Sequence, residues 1–182
     1  GCATAYELAV RGVKDIVVIE KQYLSSGATG RCGAGVRQQW GTETNAILAR
    51  DSVKRFEGMN EELEYDRDIE FKQGGYLMVS YTQNEWNQYK KNVAIQHSLG
   101  IPTKMITPQE AQEIVPHLNI NGLIGATFCQ SDGHANPFHV VDAYYKAASR
   151  LGVKFETYTS VTGITQEKGK VTSVQTSKGD IA

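Results

Sequence analysis

The chain has 182 residues, 40% of them apolar and 21% charged, with 19 basic side chains against 20 acidic ones and a formal charge of -1. That length can bury roughly 70% of the unfolded surface in one globular domain or two lobes, and the even charge balance offers no field for a nucleic acid or an acidic membrane. The longest strictly aliphatic run, Ile16 to Ile19, is far short of the ~20 residues that span a bilayer, and with no basic-then-apolar stretch among residues 1–15 an export signal is not expected.

Residues 2 to 11 place Ala5, Leu8 and Ala9 on one helical face and end at Gly12, which predicts a helix. Ile16-Val17-Val18-Ile19 follows as an apolar strand of the parallel-sheet kind and stops at Glu20. The pair reads as the second half of a βαβ unit whose first strand is missing, so the chain, opening on Gly1, is expected to be a fragment. Gly27, Gly30, Gly33 and Gly35 exclude regular structure from 27 to 35, and Ala46, Ala49, Val53 and Phe56 mark a helix from about 43. Between Ile69 and Tyr81 two short strands are expected around Gly74-Gly75, where a second lobe begins.

Thr82-Gln83-Asn84-Glu85 and Thr107-Pro108-Gln109-Glu110 have the spacing of capping boxes and start two amphipathic helices. Leu123 to Cys129 reads as a strand and Asp132-Gly133-His134 as a turn. Asn136 and Pro137 cap a helix with the stripe Val141, Tyr144, Ala148 and Leu151, ended by Gly152. Strands at 154–158, 160–166 and 170–176 are expected to form an antiparallel meander.

Two constellations carry chemistry. Gly1, its helix, the strand 16–19 and Glu20 suit a dinucleotide site, with the helix N-terminus toward a pyrophosphate and the acid on ribose hydroxyls. An ordinary αβ pair ending in glutamate fits the same residues. The acid argues against a 2′-phosphate, since like charges would meet. The second constellation runs from Ser25 to Arg37, where glycines let main-chain amides approach a ligand and Arg31 and Arg37 can neutralise phosphate or polarise a carbonyl. A flexible surface loop is the alternative, although linkers seldom interleave arginine, cysteine and glycine. Cys2, Cys32 and Cys129 form no CxxC pair, so a reducing, cytoplasmic setting is the simplest expectation. His134 and His139 have poor ligand spacing and no third partner, so no metal is expected.

The chain resembles the FAD-dependent amino-acid and amine oxidoreductases of the D-amino-acid oxidase superfamily, particularly the beta subunits of sarcosine oxidase and dye-linked L-proline dehydrogenase. Val18-Ile19-Glu20-Lys21, Ser26-Gly27-Ala28-Thr29-Gly30-Arg31-Cys32 running into Gly35-Val36-Arg37-Gln38-Gln39, and Gly75-Tyr76-Leu77 carry the likeness, with Asp132-Gly133, Asn136-Pro137-Phe138-His139 and Val161-Thr162-Gly163-Ile164. The resemblance implies an α/β fold: an incomplete Rossmann-type FAD-binding domain from 1–65 and 137–182, interrupted at 66–136 by an inserted α+β portion of a substrate domain. It implies that Gly1 and the helix start hold the FAD pyrophosphate and that Glu20, with Lys21 beside it, holds the adenosine ribose. Ser26, Thr29, Arg31, Cys32 and Gly33 would line the phosphates and flavin, and the Val161 main chain would meet the adenine edge. Cys32 is expected to be a non-covalent neighbour. A histidine near position 139 holds a second flavin in some heterotetrameric relatives, although a capping or core role is the blander reading of His139.

The implied activity is FAD-dependent oxidation of a small secondary or N-methylated amino acid, such as sarcosine or proline, by hydride transfer to flavin. Other subunits of a hetero-oligomeric oxidoreductase are the implied partners, the catalytic residues are unknown, and the 182 residues alone are expected to be inactive. An NAD-linked dehydrogenase would also want Gly1 and Glu20 but has no use for the second glycine-arginine loop. A non-catalytic interaction module is the other alternative.

Overall fold

The computed structural model describes residues 1–182. The elements are, first, α1 (Cys2–Val10), β1 (Val17–Ile19), a 3-10 turn (Thr29–Arg31), β2 (Gly35–Val36), α2 (Glu43–Glu57) and α3 (Met59–Glu62). Then come β3 (Tyr76–Ser80), α4 (Gln83–Ser98), β4 (Lys104–Ile106), α5 (Pro108–Ile114), β5 (Gly125–Cys129) and β6 (Gly133–His134). Last are α6 (Pro137–Arg150), β7 (Lys154–Glu156), β8 (Val161–Glu167) and β9 (Lys170–Thr176). They fall into two compact units, one of residues 1–33, 60–69 and 136–182 and one of residues 34–59 and 70–135. Residues 34–59 group with the second of these units. The physical reason is α2, whose Ala46 is fully buried in a cluster with Ile101 and Cys129.

In the first unit, β1 and β7 pair in parallel, Val17 opposite Lys154 and Ile19 opposite Glu156. The expected three-stranded meander is therefore a two-stranded hairpin, because β7 leaves it for β1 while β8 pairs with β9, whose Val174 also bridges Ile181. All three residues of β1 are half-buried. α1 and α6 pack together, with the Tyr6 and Tyr144 rings 5.8 Å apart, and Ala5 of α1 and Ala143, Ala147 and Ala148 of α6 are nearly free of solvent. The face α6 buries is thus an alanine face, and Leu151 of the expected stripe stays exposed, as does Leu8 of α1.

Residues 60–69 are strapped to α6. The Tyr65 hydroxyl donates to Asp142 at 2.9 Å and the Lys146 ammonium to Asp66 at 2.7 Å. Arg150 donates to the Leu63 carbonyl. Desolvation, and after it the Asp142 bond, push the Tyr65 phenol up to about 12.

In the second unit, β5 is the central strand of an antiparallel sheet with β3 and β4 on either side. Ala111 of α5 packs with Leu123 and Ala126, and Leu77, Val79 and Ile106 close around them. Of the two strands expected between 69 and 81 only β3 forms. Residue Lys72 makes a single bridge to His134, and the segment expected to turn at 132–134 instead supplies β6, paired with β2. β4 is three residues long, too short for its sequence to show a period. No helix is long and apolar enough to cross a membrane.

Both capping boxes form. In α4 the Thr82 side chain accepts from Glu85 N, and in α5 Thr107 accepts from Glu110 N at 3.2 Å while Glu110 takes the Thr107 N–H at 2.7 Å. That main-chain bond first, and the Thr107 hydroxyl second, hold the Glu110 carboxyl below the usual range. A carboxyl whose folded-state value is lowered stabilises fully above its ordinary value of 4.5 and loses the contribution as pH falls through the lowered one. Thr107→Ala is expected to cost about 1 kcal/mol by chemical denaturation at neutral pH. The acid limb of the wild-type stability profile should flatten in Glu110→Gln, and an unaltered limb would remove the box from the stability of α5.

Candidate functional site

A cleft of about 340 Å³ in the first unit is lined by Gly1, Cys2 and Ala3 at the start of α1, by Val18 and Glu20 at the end of β1, and by Leu24, Ser25, Gly27, Ala28 and Thr29. Val140, Val141 and Tyr144 of α6 complete it. The volume lies at the lower end of small-molecule sites.

Two of its walls are the start of α1 and the loop at residues 24–29. α1 begins at Gly1 with no side-chain cap and no acid in its first turn. The first amides of a helix have no intrahelical acceptor and carry the positive end of its dipole, so this end is suited to an anion. Residues 23–31 hold themselves in place: Ser26 N donates to Tyr23 O, Gly30 N to Ser25 O and Arg31 N to Ala28 O, at 3.1 to 3.2 Å. Ser25 takes φ +74°, a conformation that costs a non-glycine residue free energy and must be held by its surroundings. A Cβ at Gly30 would lie 2.1 Å from the Ser25 oxygen, so only glycine lets the loop close on itself. The stretch is a built loop and not a flexible linker.

Glu20 is fixed by its own main chain. Its N–H donates to Glu156 O at 2.9 Å and its carbonyl accepts from Thr159 N at 3.0 Å. One carboxylate oxygen, Oε1, accepts from Gln22 N at 2.8 Å, and Oε2 has no protein partner. The Cys2 thiol is pushed up chiefly by burial.

Of the nine residues singled out from the sequence, Gly1, Glu20 and Thr29 line this cleft. Lys21, Arg31, Cys32 and Gly33 are exposed beside it in sequence, and Ser26 is buried without lining it. Val161 begins β8 opposite Thr176, half exposed and outside the lining. His139 has its main-chain N–H capped by Asn136, its Nδ1 2.7 Å from Asp68 O and its ring edge-on to Tyr65, all of which a packing and capping role explains. Val141 and Tyr144 escaped the sequence reading as site residues because an apolar stripe reads as core. The presence of alanines one step around α6 was the available signal.

The second unit holds a separate feature. The Arg37 guanidinium lies 4.5 Å from the Trp40 ring centre and 5.6 Å from that of Tyr76. Its Nε is buried and has no acceptor. An unsatisfied buried donor is costly unless a ligand or water fills the place.

A family model described as FAD dependent oxidoreductase matches residues 1–182. The chain is 33% identical to sarcosine oxidase subunit beta of Rhodobacter capsulatus, covering 100% of this chain and 44% of the relative. It is 30% identical to the mitochondrial pyruvate dehydrogenase phosphatase regulatory subunit of Mus musculus, covering 100% of this chain and 20% of the relative. The crystal structure of L-proline dehydrogenase from P. horikoshii superposes with a TM-score of 0.89 at 41% identity, over 99% of this chain and 47% of that one. The chain spans less than half the length of each.

Gly30→Ala is expected to destabilise the first unit by about 1–3 kcal/mol through the clash with Ser25 O. Limited proteolysis should then cut between residues 24 and 31. Wild-type stability and resistance in that variant would show that the loop closes some other way.

Proposed function

Because this chain belongs to the FAD dependent oxidoreductase family, we propose that its first-unit cleft is the adenosine and pyrophosphate half of an FAD site in an enzyme that oxidises a small secondary or N-methylated amino acid. The observation that carries the cofactor reading is Glu20, clamped at the strand end with Oε2 free, sharing one cleft with the uncapped start of α1. The residues present fit the group: amides and a missing Cβ at Gly1 for phosphate, a carboxylate acceptor for ribose hydroxyls, and the Thr29 hydroxyl as a further donor. Arg31, Cys32 and Gly33, exposed just beyond, are proposed to meet the cofactor where it extends past the cleft. Lys21, Ser26 and Val161 rest on the resemblance alone. When bound, FAD supplies a hydride acceptor for the carbon beside the substrate nitrogen.

The substrate class draws support from the similarity to sarcosine oxidase subunit beta and L-proline dehydrogenase. Arg37 is proposed to receive the substrate carboxylate, since a guanidinium offers planar donors matched to that anion and its Nε lacks an acceptor. Partner subunits are proposed from the likeness to a protein named as a beta subunit of sarcosine oxidase, and a cytoplasmic setting from the unpaired cysteines. The 182 residues by themselves are proposed to be inactive.

A non-catalytic module is the second reading, favoured by the likeness to a protein named as a regulatory subunit. Anaerobic addition of sarcosine or proline to the whole flavoprotein separates the two, since only an oxidoreductase bleaches its flavin. Glu20→Ala in the whole protein is expected to weaken FAD binding by about 1.5 to 3 kcal/mol, the range for hydrogen bonds to a charged group. An FAD dissociation constant equal to wild type would take Glu20 out of the site.

A further inference from the structure

The sequence marks Asp132-Gly133 without a role beyond a turn, yet Asp132 is fully buried. Its Oδ1 accepts from the Gln38 main-chain N–H at 2.9 Å and from Gln38 Nε2 at 3.1 Å, and its Oδ2 accepts from Gln39 Nε2 at 3.1 Å. No lysine, arginine or histidine pairs with it. A buried carboxylate without a counter-ion is expensive, and amide donors on both oxygens are what make it tolerable.

The geometry of β2 and β6 explains why the donors come from 38 and 39. Gly35 pairs with His134 and Val36 with Gly133, so the register continued by one residue sets Arg37 against Asp132. There the backbone ladder ends and the Asp132 side chain takes over, gripping the residue that follows Arg37. A Cβ at Gly133 would lie 1.9 Å from Lys72 O, so the grip depends on glycine being next in the chain. Gln39 is braced further, donating to Tyr76 O at 2.7 Å and accepting from the Thr127 hydroxyl at 2.7 Å. Trp40 Nε1 donates to Arg37 O at 3.0 Å. Thus every residue from 38 to 40 is tied down, while Arg37, framed by the rings of Trp40 and Tyr76, keeps an unsatisfied Nε.

We propose that Asp132 is a positioning residue: its buried carboxylate anchors Gln38 and Gln39 so that the Arg37 guanidinium is held ready for a carboxylate-bearing ligand. The inference rests on the assignment of Arg37 made above. It makes Asp132 a determinant of affinity for the anionic end of the substrate while leaving the cofactor and the oxidised carbon untouched.

The test uses the whole flavoprotein, with acetate as the carboxylate probe. Asp132→Asn keeps the shape but turns an NH2 toward amide donors. It should raise KM for the amino-acid substrate and the inhibition constant of acetate by 10-fold or more, with FAD content and kcat within about twofold of wild type. Gln38→Met, which removes the side-chain bond and spares the main-chain one, should shift both constants in the same direction and by less. If Asp132→Asn does not fold, Gln38→Met decides by the same split. Arg37→Met separates the two possible failures. Wild-type acetate inhibition in Arg37→Met overturns the assignment of Arg37, and this inference with it. Weakened inhibition in Arg37→Met beside unchanged inhibition in the anchoring variants overturns the inference alone.

Discussion

A three-residue parallel ladder between β1 and β7 is the contact on which the first unit depends. Its register is extended at both ends, by Lys154 N donating to Ile16 O and by Glu20 N donating to Glu156 O. The loops beyond are laced together too, through Tyr158 N to Gln22 O and Thr159 N to Glu20 O. Glu20 is fixed at the mouth of the cleft by these bonds, and the helix leading into β7 is α6, the opposite wall. Joining strands so distant in the chain costs closure entropy that grows only logarithmically with the residues between. Most of those residues form a unit of their own, which lessens the disorder that the ladder has to offset.

Helices were largely legible in the sequence because their ends are local chemistry. Thr82 with Glu85, Thr107 with Glu110, and Asn136 before Pro137 each set a boundary within a few residues of the cap. Strand partners were not legible, because alternation says that a segment is extended and nothing about what lies beside it. β7 therefore read as part of a meander, and β6 as a turn. The site divided in the same way. Thr29 entered through the family resemblance, while Gly1 and Glu20 stood out because a missing Cβ at a helix start and an acid at a strand end are unusual for a core. Val140, Val141 and Tyr144 did not, since a cleft wall and a core wall use the same side chains.

The two units prepare for charge by opposite means. The first leaves main-chain amides uncapped and removes side chains, so that Gly1 and the loop closed at Gly30 present backbone. The second buries polar side chains and satisfies them against one another, with Asp132, Gln38, Gln39 and Thr127 forming a connected network. Networks of this kind specify one arrangement, because each donor left without its acceptor would be costly in a low-dielectric interior.

The placing of the aromatic residues has an optical consequence. Both tryptophans, Trp40 and Trp86, belong to the second unit, and each lies near a cation, Arg37 at 4.5 Å and Lys90 at 5.9 Å. The first unit has tyrosines at 6, 23, 65, 144, 145 and 158 and no tryptophan. Emission excited at the red edge of the absorption band therefore comes from one unit only. A melting curve recorded that way follows the sheet of β3, β4 and β5 and is blind to the β1–β7 ladder. Agreement between that signal and a tyrosine or far-ultraviolet dichroism signal is the measure of whether the two units unfold together.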